Sequence, residues 1–268
     1  MDSSRVSDHL GPVPRHAHPL AGLGFPSNRP SGLPRHVAVI MDGNGRWAQQ
    51  RGLPRLAGHA AGALRAKELV QTCGELGVEV LTLYSFSVEN WSRPPEEVDG
   101  LMELAVAQLA AERKALAAQG VRFRHLGSRA GLPAAVLEQL DATALATAGC
   151  QGLTLCLAMN YGARQEIVDA MRVLAQRAAR GDLMPDDIDQ DLVGSALQTA
   201  GLPDPDLVIR TAGEHRLSNF LLWQVSYAEL HVTELLWPDF DRTAFESALE
   251  DYAGRTRKWG SLAAPESA

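Results

Sequence analysis

The chain has 268 residues, 46% hydrophobic and 21% charged, enough for one large α/β domain with a substantial core. Its formal charge of −7 argues against a nucleic-acid partner, and three cysteines without CxxC spacing (Cys73, Cys150 and Cys156) read as small core residues and argue against structural zinc. No apolar run approaches the roughly 18 residues of a membrane span and no leader-type apolar segment opens the chain, so a cytoplasmic protein is expected, with peripheral contact through an apolar mouth left open.

The net charge would disfavour an anionic substrate at long range, but charges beyond about 8 Å are screened at physiological salt, so a local cluster of arginines decides. Residues 1–34 hold six prolines and four glycines and no apolar block. Such a segment cannot build a core, so a disordered tail is expected there, with the catalytic domain over 35–260 and a short tail over 261–268.

Residues 36–47 read HVAVIMDGNGRW, a Val/Ile-rich run ending at a lone Asp42, then Gly43, Asn44, Gly45, Arg46 and Trp47. Asp-Gly and Asn-Gly are also hairpin signals. Residues 46–50, however, do not alternate with period two, and Ala66, Leu69, Val70, Cys73 and Leu76 repeat at helical spacing within 58–76. A strand, a loop and a helix form the expected unit. A carboxylate and a glycine-relaxed backbone at the start of a helix suit an anion, a metal ion or both, because free N–H groups and the helix dipole point outward there. A diphosphate with Mg2+ fits that description. His59, after Arg55 and Gly58, is the kind of lone histidine that is usually structural; folded back beside Asp42 and Asn44, it would be placed to donate to a leaving phosphate.

A second strand is expected over 78–86, followed by a loop of hydroxyl, amide and guanidinium groups among aromatics: Ser85, Ser87, Asn90, Trp91 and Arg93. The loop reads either as an exposed connection or as donors for an anion beside a flat apolar wall. Helix 95–118 follows Pro94 and Pro95 and stops before Gly120, with Val98, Leu101, Met102, Ala105 and Leu109 on one face. The apolar faces of 58–76 and 95–118 serve equally as ordinary core or as walls of an apolar tunnel.

Further strands are expected near 120–126, 152–158, 206–210 and 229–233, and helices over 133–147, 163–180, 186–199 and 241–257. This alternation predicts a single α/β domain with a mostly parallel six-stranded sheet flanked by helices. Ligands of such sheets sit at the carboxyl ends of strands, so the polar segments after 41, 86 and 210 are expected to converge. The last of these, Arg210 to Asn219, packs Arg210, Arg216 and Ser218 into a short stretch that a solvated charge run would not need, and guanidinium forks match phosphate oxygens. Glu229, opening the last strand, would add a second oxygen ligand for a hard cation.

HVAVIMDGNGRWA, GHAAG, LTLYSFSVENWSRPPEEV, NYGARQEI, DLVIRTAGEHRLSNFLLWQ and YAELHVTELLWPDF, in this order, resemble the cis-prenyltransferases, the undecaprenyl diphosphate synthase branch most closely. The resemblance covers about 35–260. It implies an allylic diphosphate site at Asp42, Asn44, Gly45, Arg46, Arg55 and His59, and an isopentenyl diphosphate site at Arg210, Arg216 and Ser218. It further implies Mg2+ held by Asp42 with Glu229 as acidic partner, Ser87, Asn90, Trp91 and Glu97 orienting substrates or assisting proton removal, a tunnel-enclosing fold, a homodimer, and a long Z-prenyl product for a cell-wall lipid carrier. A short or branched product, or a non-catalytic subunit, stands as the alternative. Four positions depart from the family pattern: Val88, Cys156, Ala212 where glycine is common, and Lys258-Trp259-Gly260 where an arginine-containing tail is usual. Arg255 or Arg257 is the expected substitute for that tail arginine.

Overall fold

Six strands form one sheet in the order β3-β4-β2-β1-β5-β6, and all five pairings are parallel, in the computed structural model that describes residues 32–255. The strands are β1 (His36–Ile40), β2 (Val80–Ser87), β3 (Arg122–Leu126), β4 (Thr154–Tyr161), β5 (Leu207–Arg210) and β6 (Glu229–Val232). Helices α1 (Asn44–Gln50), α2 (Arg55–Leu76), α3 (Pro95–Ala118), α4 (Ala134–Thr147), α5 (Ala163–Ala179), α6 (Gln190–Ala196) and α7 (Arg242–Ala253) connect and cover them.

A parallel sheet covered on both faces needs strands that are apolar throughout, and β1 is buried at every position. Its side chains alternate between two cores. Val37 and Val39 join Leu69, Val70, Leu81, Leu83, Met102 and Phe245 on the face covered by α2, α3 and α7. Ala38 and Ile40 join Tyr84, Tyr161, Phe220 and Leu221 on the other. The register of β2 against β4 shifts between Tyr84 and Ser87, and this irregularity turns both Ser85 and Phe86 toward the first face.

Several boundaries differ from expectation for local reasons. The stretch expected as a loop contains α1, a two-turn helix too short to show a hydrophobic period, and α2 begins at Arg55, after Pro54. The helix expected over 186–199 is a short 3-10 turn at Pro185–Asp187 followed by α6, because Asp189 caps a new start by accepting the N–H of Leu192 at 2.8 Å. Leu33 packs on the first core and Pro34 is buried, so the last residues of the expected tail belong to the fold. Residues 1–31 and 256–268, including the Lys258-Trp259-Gly260 tail and Arg257, lie outside the described residues. Of the cysteines, Cys73 and Cys156 are buried and Cys150 is half-buried.

Candidate active site

The carboxyl ends of β2, β1 and β5 lie side by side, and the polar segments that follow them meet. Ile40 is in register with Arg210, so Asp42 and Arg210 leave the sheet at one level. Asp42 Oδ2 accepts from Arg210 Nη2 at 3.0 Å, and Oδ1 accepts the N–H of Gly43 at 2.8 Å. Arg210 is only 5% exposed, and its Nη1 donates to Ser218 Oγ at 2.8 Å and to the Arg216 carbonyl. One buried guanidinium thus joins the Asp42 loop to the Arg216–Ser218 loop. Thr211 locks the same exit: its hydroxyl accepts the N–H of Asp42 at 2.9 Å and donates to the Asp42 carbonyl at 2.7 Å.

Gly43 has φ +103°, and a Cβ there would stand 2.9 Å from Leu236 Cδ2 and 3.1 Å from Ala212 Cβ, so both backbone and space require glycine. Arg46 Nη2 donates to the Ala212 carbonyl at 3.1 Å and lies 3.4 Å from Glu214 and 4.0 Å from Asp42. Arg216, largely exposed, meets the same Glu214. Arg46, Arg210 and Arg216 therefore gather around two carboxylates, while the first-turn N–H groups of α1 have no partner inside the helix.

Helix α2 closes on this loop through glycine. A Cβ on Gly58 would fall 2.0 Å from the Asn44 carbonyl oxygen, and one on Gly62 would fall 2.2 Å from Asn44 Oδ1. Four residues apart, the two share one helix face. Trp237 seals the contact from below, its indole N–H donating to the Gly62 carbonyl at 2.8 Å and its backbone N–H to the Asp42 carbonyl at 3.0 Å.

This approach brings His59 to the site. Burial, then the positive charges of Arg93 and Arg55, overcome the opposing pull of Glu97 and push the His59 pKa down to about 4. The ring is neutral near pH 7, a hydrogen-bonding group rather than a charged acid. Its Nε2 is buried without a partner, as are Asn44 Oδ1 and Arg210 Nε. Buried polar atoms are rarely left so; Asn44 and His59 line one cleft, where a bound polar ligand would complete them, and Arg210 lines a second cavity beside Arg216.

Arg55 Nε and Arg93 Nη1 both donate to Glu97, at 3.0 and 3.1 Å. Burial works to raise the Glu97 carboxyl, but the bond from Arg55 and the charges of Arg55 and Arg93 hold it below its ordinary range. The Arg55 guanidinium lies over Gly45, within 2.6–2.9 Å of where a Cβ would stand. Ser87 and Asn90 cap the 3-10 turn Val88–Ser92: the N–H of Ser87 donates to Asn90 Oδ1 at 3.0 Å, and the Ser87 side chain accepts the N–H of Asn90. The Trp91 indole stands edge-on to Phe86 and donates to Asn160 Oδ1 at 2.8 Å.

Two residues that hold these loops did not emerge from the sequence as site residues. Asn160, with φ +53°, donates to the carbonyls of Ser128 and Ala130, both at 2.9 Å, while fixing Trp91. Asn219, with φ +62°, donates to Glu89 Oε1 at 2.9 Å and accepts the N–H groups of Arg164 and Ala163 at 2.9 and 2.8 Å. Asparagine at the edge of an apolar run, after LTLCLAM for Asn160 and before FLLW for Asn219, is the signal that would have found both, since it tolerates the left-handed region. Thr211, Gly58, Gly62 and Trp237 were missed likewise; the four-residue spacing in GHAAG marks the glycine pair.

Two expected members lie elsewhere in this chain. Glu229 opens β6 in register with Leu207, at the amino edge of the sheet opposite Asp42, and accepts from Arg255 Nη1 at 2.9 Å. A parallel strand is entered at that edge, so its first residue does not reach the ligand edge, and the pairing of Glu229 with Asp42 is not formed. Arg255 itself is committed to Glu229 and to Asp251. The Trp47 indole donates to Asp239 at 2.7 Å beneath Arg51, whose guanidinium lies 4.1 Å from the ring centre, rather than joining Asp42.

Below Asn44 and His59 a cleft of about 220 Å³ opens between α2, α3 and the first sheet face, lined by Ala63, Val70, Leu83, Leu101, Leu109 and Leu157 among others. Among the described residues no group of three metal-binding side chains stands ready. Asp42 alone, a third exposed and offering hard oxygen, suits Mg2+ when substrate phosphates and water supply the remaining ligands, the usual way this ion is held.

Strand ends that gather guanidiniums, a carboxylate and unpartnered polar atoms above an apolar cleft define a site for a diphosphate with an apolar tail. A family model described as "Putative undecaprenyl diphosphate synthase" matches residues 40–260. An isoprenyl transferase of Agrobacterium fabrum is 48% identical over 89% of this chain and 97% of its own. A farnesyl-diphosphate-specific ditrans,polycis-undecaprenyl-diphosphate synthase of Xanthomonas axonopodis pv. citri is 48% identical over 87% and 90%. The crystal structure of lavandulyl diphosphate synthase from Lavandula x intermedia, in complex with dimethylallyl diphosphate, superposes with a TM-score of 0.85 at 36% identity over 87% of this chain and 100% of that one. The chain belongs to the cis-prenyltransferase family and is a prenyltransferase, an enzyme that condenses isopentenyl diphosphate onto an allylic diphosphate.

Proposed function

We propose that the two diphosphates sit on either side of the Asp42–Arg210 pair. The allylic head lies at Asp42, Asn44, Gly45, Arg46, Arg55 and His59 with its tail in the cleft, and isopentenyl diphosphate lies at Arg210, Arg216 and Ser218. The observation that carries this reading is the buried guanidinium of Arg210 joining both loops, its own Nε left without a partner. In the condensation the allylic C1–O bond breaks, C4 of isopentenyl diphosphate attacks C1, and a C2 proton leaves to give the Z double bond. Arg46 and the free N–H groups of α1 stabilise the charge on the departing diphosphate, while Arg210 and Ser218 hold the nucleophile in place. His59 donates a hydrogen bond to the head, and Ser87, Asn90, Trp91, Arg93 and Glu97 wall the site. Mg2+ held by Asp42 and the phosphates would neutralise part of the leaving group's charge.

For product length, two observations support different readings. Lavandulyl is a short, branched group, and the high superposition with that synthase supports a short or branched product. The cleft supports a long Z-prenyl product of the undecaprenyl type, because its lining on α3 runs from Leu101 to Gln119, about 27 Å at 1.5 Å per residue. That span supports a long chain, while the superposition with a synthase of a short, branched product supports the alternative more directly. Labelled isopentenyl diphosphate supplied with dimethylallyl, geranyl or farnesyl diphosphate and Mg2+ separates the two. A ladder ending in long chains from farnesyl diphosphate would establish the long-chain reading; products of one or two added units only would establish the short-chain reading.

The family resemblance adds a homodimer, for which the β6 edge of the sheet, with Leu230 half-exposed, offers one surface and the β3 edge the other; light scattering of the purified chain checks it. No helix among the described residues is long and apolar enough to cross a membrane, and a cytoplasmic enzyme that releases product by peripheral membrane contact is part of this proposal.

A further inference from the structure

The walls of the cleft are joined in an unusual way. Helices α2 and α3 both descend from the substrate end, and near the top Arg55 holds Glu97 at 3.0 Å. Twelve residues further along α2, about 18 Å lower, Lys67 Nζ meets Glu112 Oε1 at 2.9 Å. Between these two clasps α2 lines the cleft with Ala63 and Ala66, while α3 contributes Leu101, Leu104, Ala105 and Gln108; Leu56 rests on Gly100, where a Cβ would stand 3.2 Å from its Cδ2. Lys67 and Glu112 both line the cleft, beside Gln108 on the same face of α3. Deeper still are Leu116, Phe123 and Leu155, which form the floor toward the amino edge of the sheet.

An ion pair is an odd lining for a cavity that otherwise suits an apolar tail, and one whose members are 51% and 24% exposed adds little to fold stability. Its position matters instead. We propose that the Lys67–Glu112 pair is a specificity-determining clasp: it closes the side of the cleft between α2 and α3 and keeps the growing prenyl chain inside until the floor stops it. With the clasp open, the tail leaves sideways between the helices and the floor no longer limits elongation. This rests on the reading of the cleft as the seat of the product chain, and it involves neither diphosphate site.

The test compares product profiles from labelled isopentenyl diphosphate for the unaltered enzyme, Lys67→Ala, Glu112→Ala and the double charge exchange Lys67→Glu with Glu112→Lys. Each single variant is expected to shift the dominant product upward by one isoprene unit or more and to broaden the distribution, and the charge exchange is expected to restore the original product. The rate of the first condensation, read in a single turnover, should stay within about fivefold throughout, as expected for a weak surface pair. Unchanged profiles in both single variants, shorter products, or a charge exchange that behaves like the single variants would each overturn the clasp. So would a collapse of the first condensation, which would make the pair a general structural element. Failure of the unaltered enzyme to incorporate isoprene from any primer would instead remove the parent reading, and the clasp with it.

Discussion

Arg210 is the side chain on which both substrate loops depend. It is buried, spends three hydrogen bonds on Asp42, Ser218 and the Arg216 carbonyl, and keeps Nε unsatisfied. Lysine carries the charge but not the fork. Arg210→Lys is therefore expected to raise the isopentenyl diphosphate KM by about tenfold, a single charge-assisted hydrogen bond's worth; a KM within error of the original would remove Arg210 from that site. The Arg216 side chain is largely exposed and pairs with Glu214, so Arg216→Ala, which keeps the carbonyl that Arg210 uses, should raise the same KM while leaving the denaturation midpoint unchanged, and an unaltered KM would exclude its role. Ala212 has φ +71°, a left-handed backbone that side chains resist. Here the departure from the family's glycine has a physical cost, and Ala212→Gly is expected to stabilise the protein by about 0.5–1 kcal/mol; a lower urea midpoint would contradict this.

Among the elements, the packing of α2 against the Asp42 loop is the most exacting. A methyl group at Gly58 would collide with a backbone carbonyl 2.0 Å away, which no rotamer can relieve. Gly58→Ala should lower stability by about 1–3 kcal/mol, the range of overpacked sites, and reduce turnover by displacing His59; normal stability and turnover would show that the helix can shift freely. The alternation of strands and helices, and the convergence of three strand ends, were legible because apolar runs and helical spacing are long-period signals and parallel sheets place ligands at one edge. The short α1 was not, since seven residues carry no visible period. The glycine pair of α2 is visible as a four-residue spacing, but what it accommodates, the backbone and side chain of Asn44, is not. Glu229 was placed at the site both as a hard oxygen ligand opening a strand and by resemblance, but the direction of β6 sets it at the far edge within this chain.

For the molecule as a whole, buried histidines contribute to the response to acid, His36 and His59 foremost and His125 in the same direction. His36 donates from Nδ1 to the Pro203 carbonyl at 2.8 Å and meets Thr82 Oγ1 through Nε2 at 2.8 Å, and burial pushes its pKa down to about 4, as it does for His59. Below the ordinary value of about 6.5 the unfolded chain takes up protons that the folded chain refuses until near 4, so stability is full above 6.5 and falls across that window, by roughly 3 kcal/mol for His36. Asp204, raised to about 6 by burial and by Asp206, acts the other way and offsets part of the loss. The urea midpoint should drop between pH 7 and 4.5, and drop less in His36→Gln; equal drops would show that His36 is not the source. The central claim is that one carboxylate, joined to one buried guanidinium, governs departure of the allylic diphosphate, and the turnover number of Asp42→Asn with farnesyl diphosphate, labelled isopentenyl diphosphate and Mg2+ tests it most directly. A folded variant slowed by about a hundredfold or more is predicted, the scale seen when one preorganised charge-stabilising group is lost; a turnover number close to that of the unaltered enzyme would contradict the account.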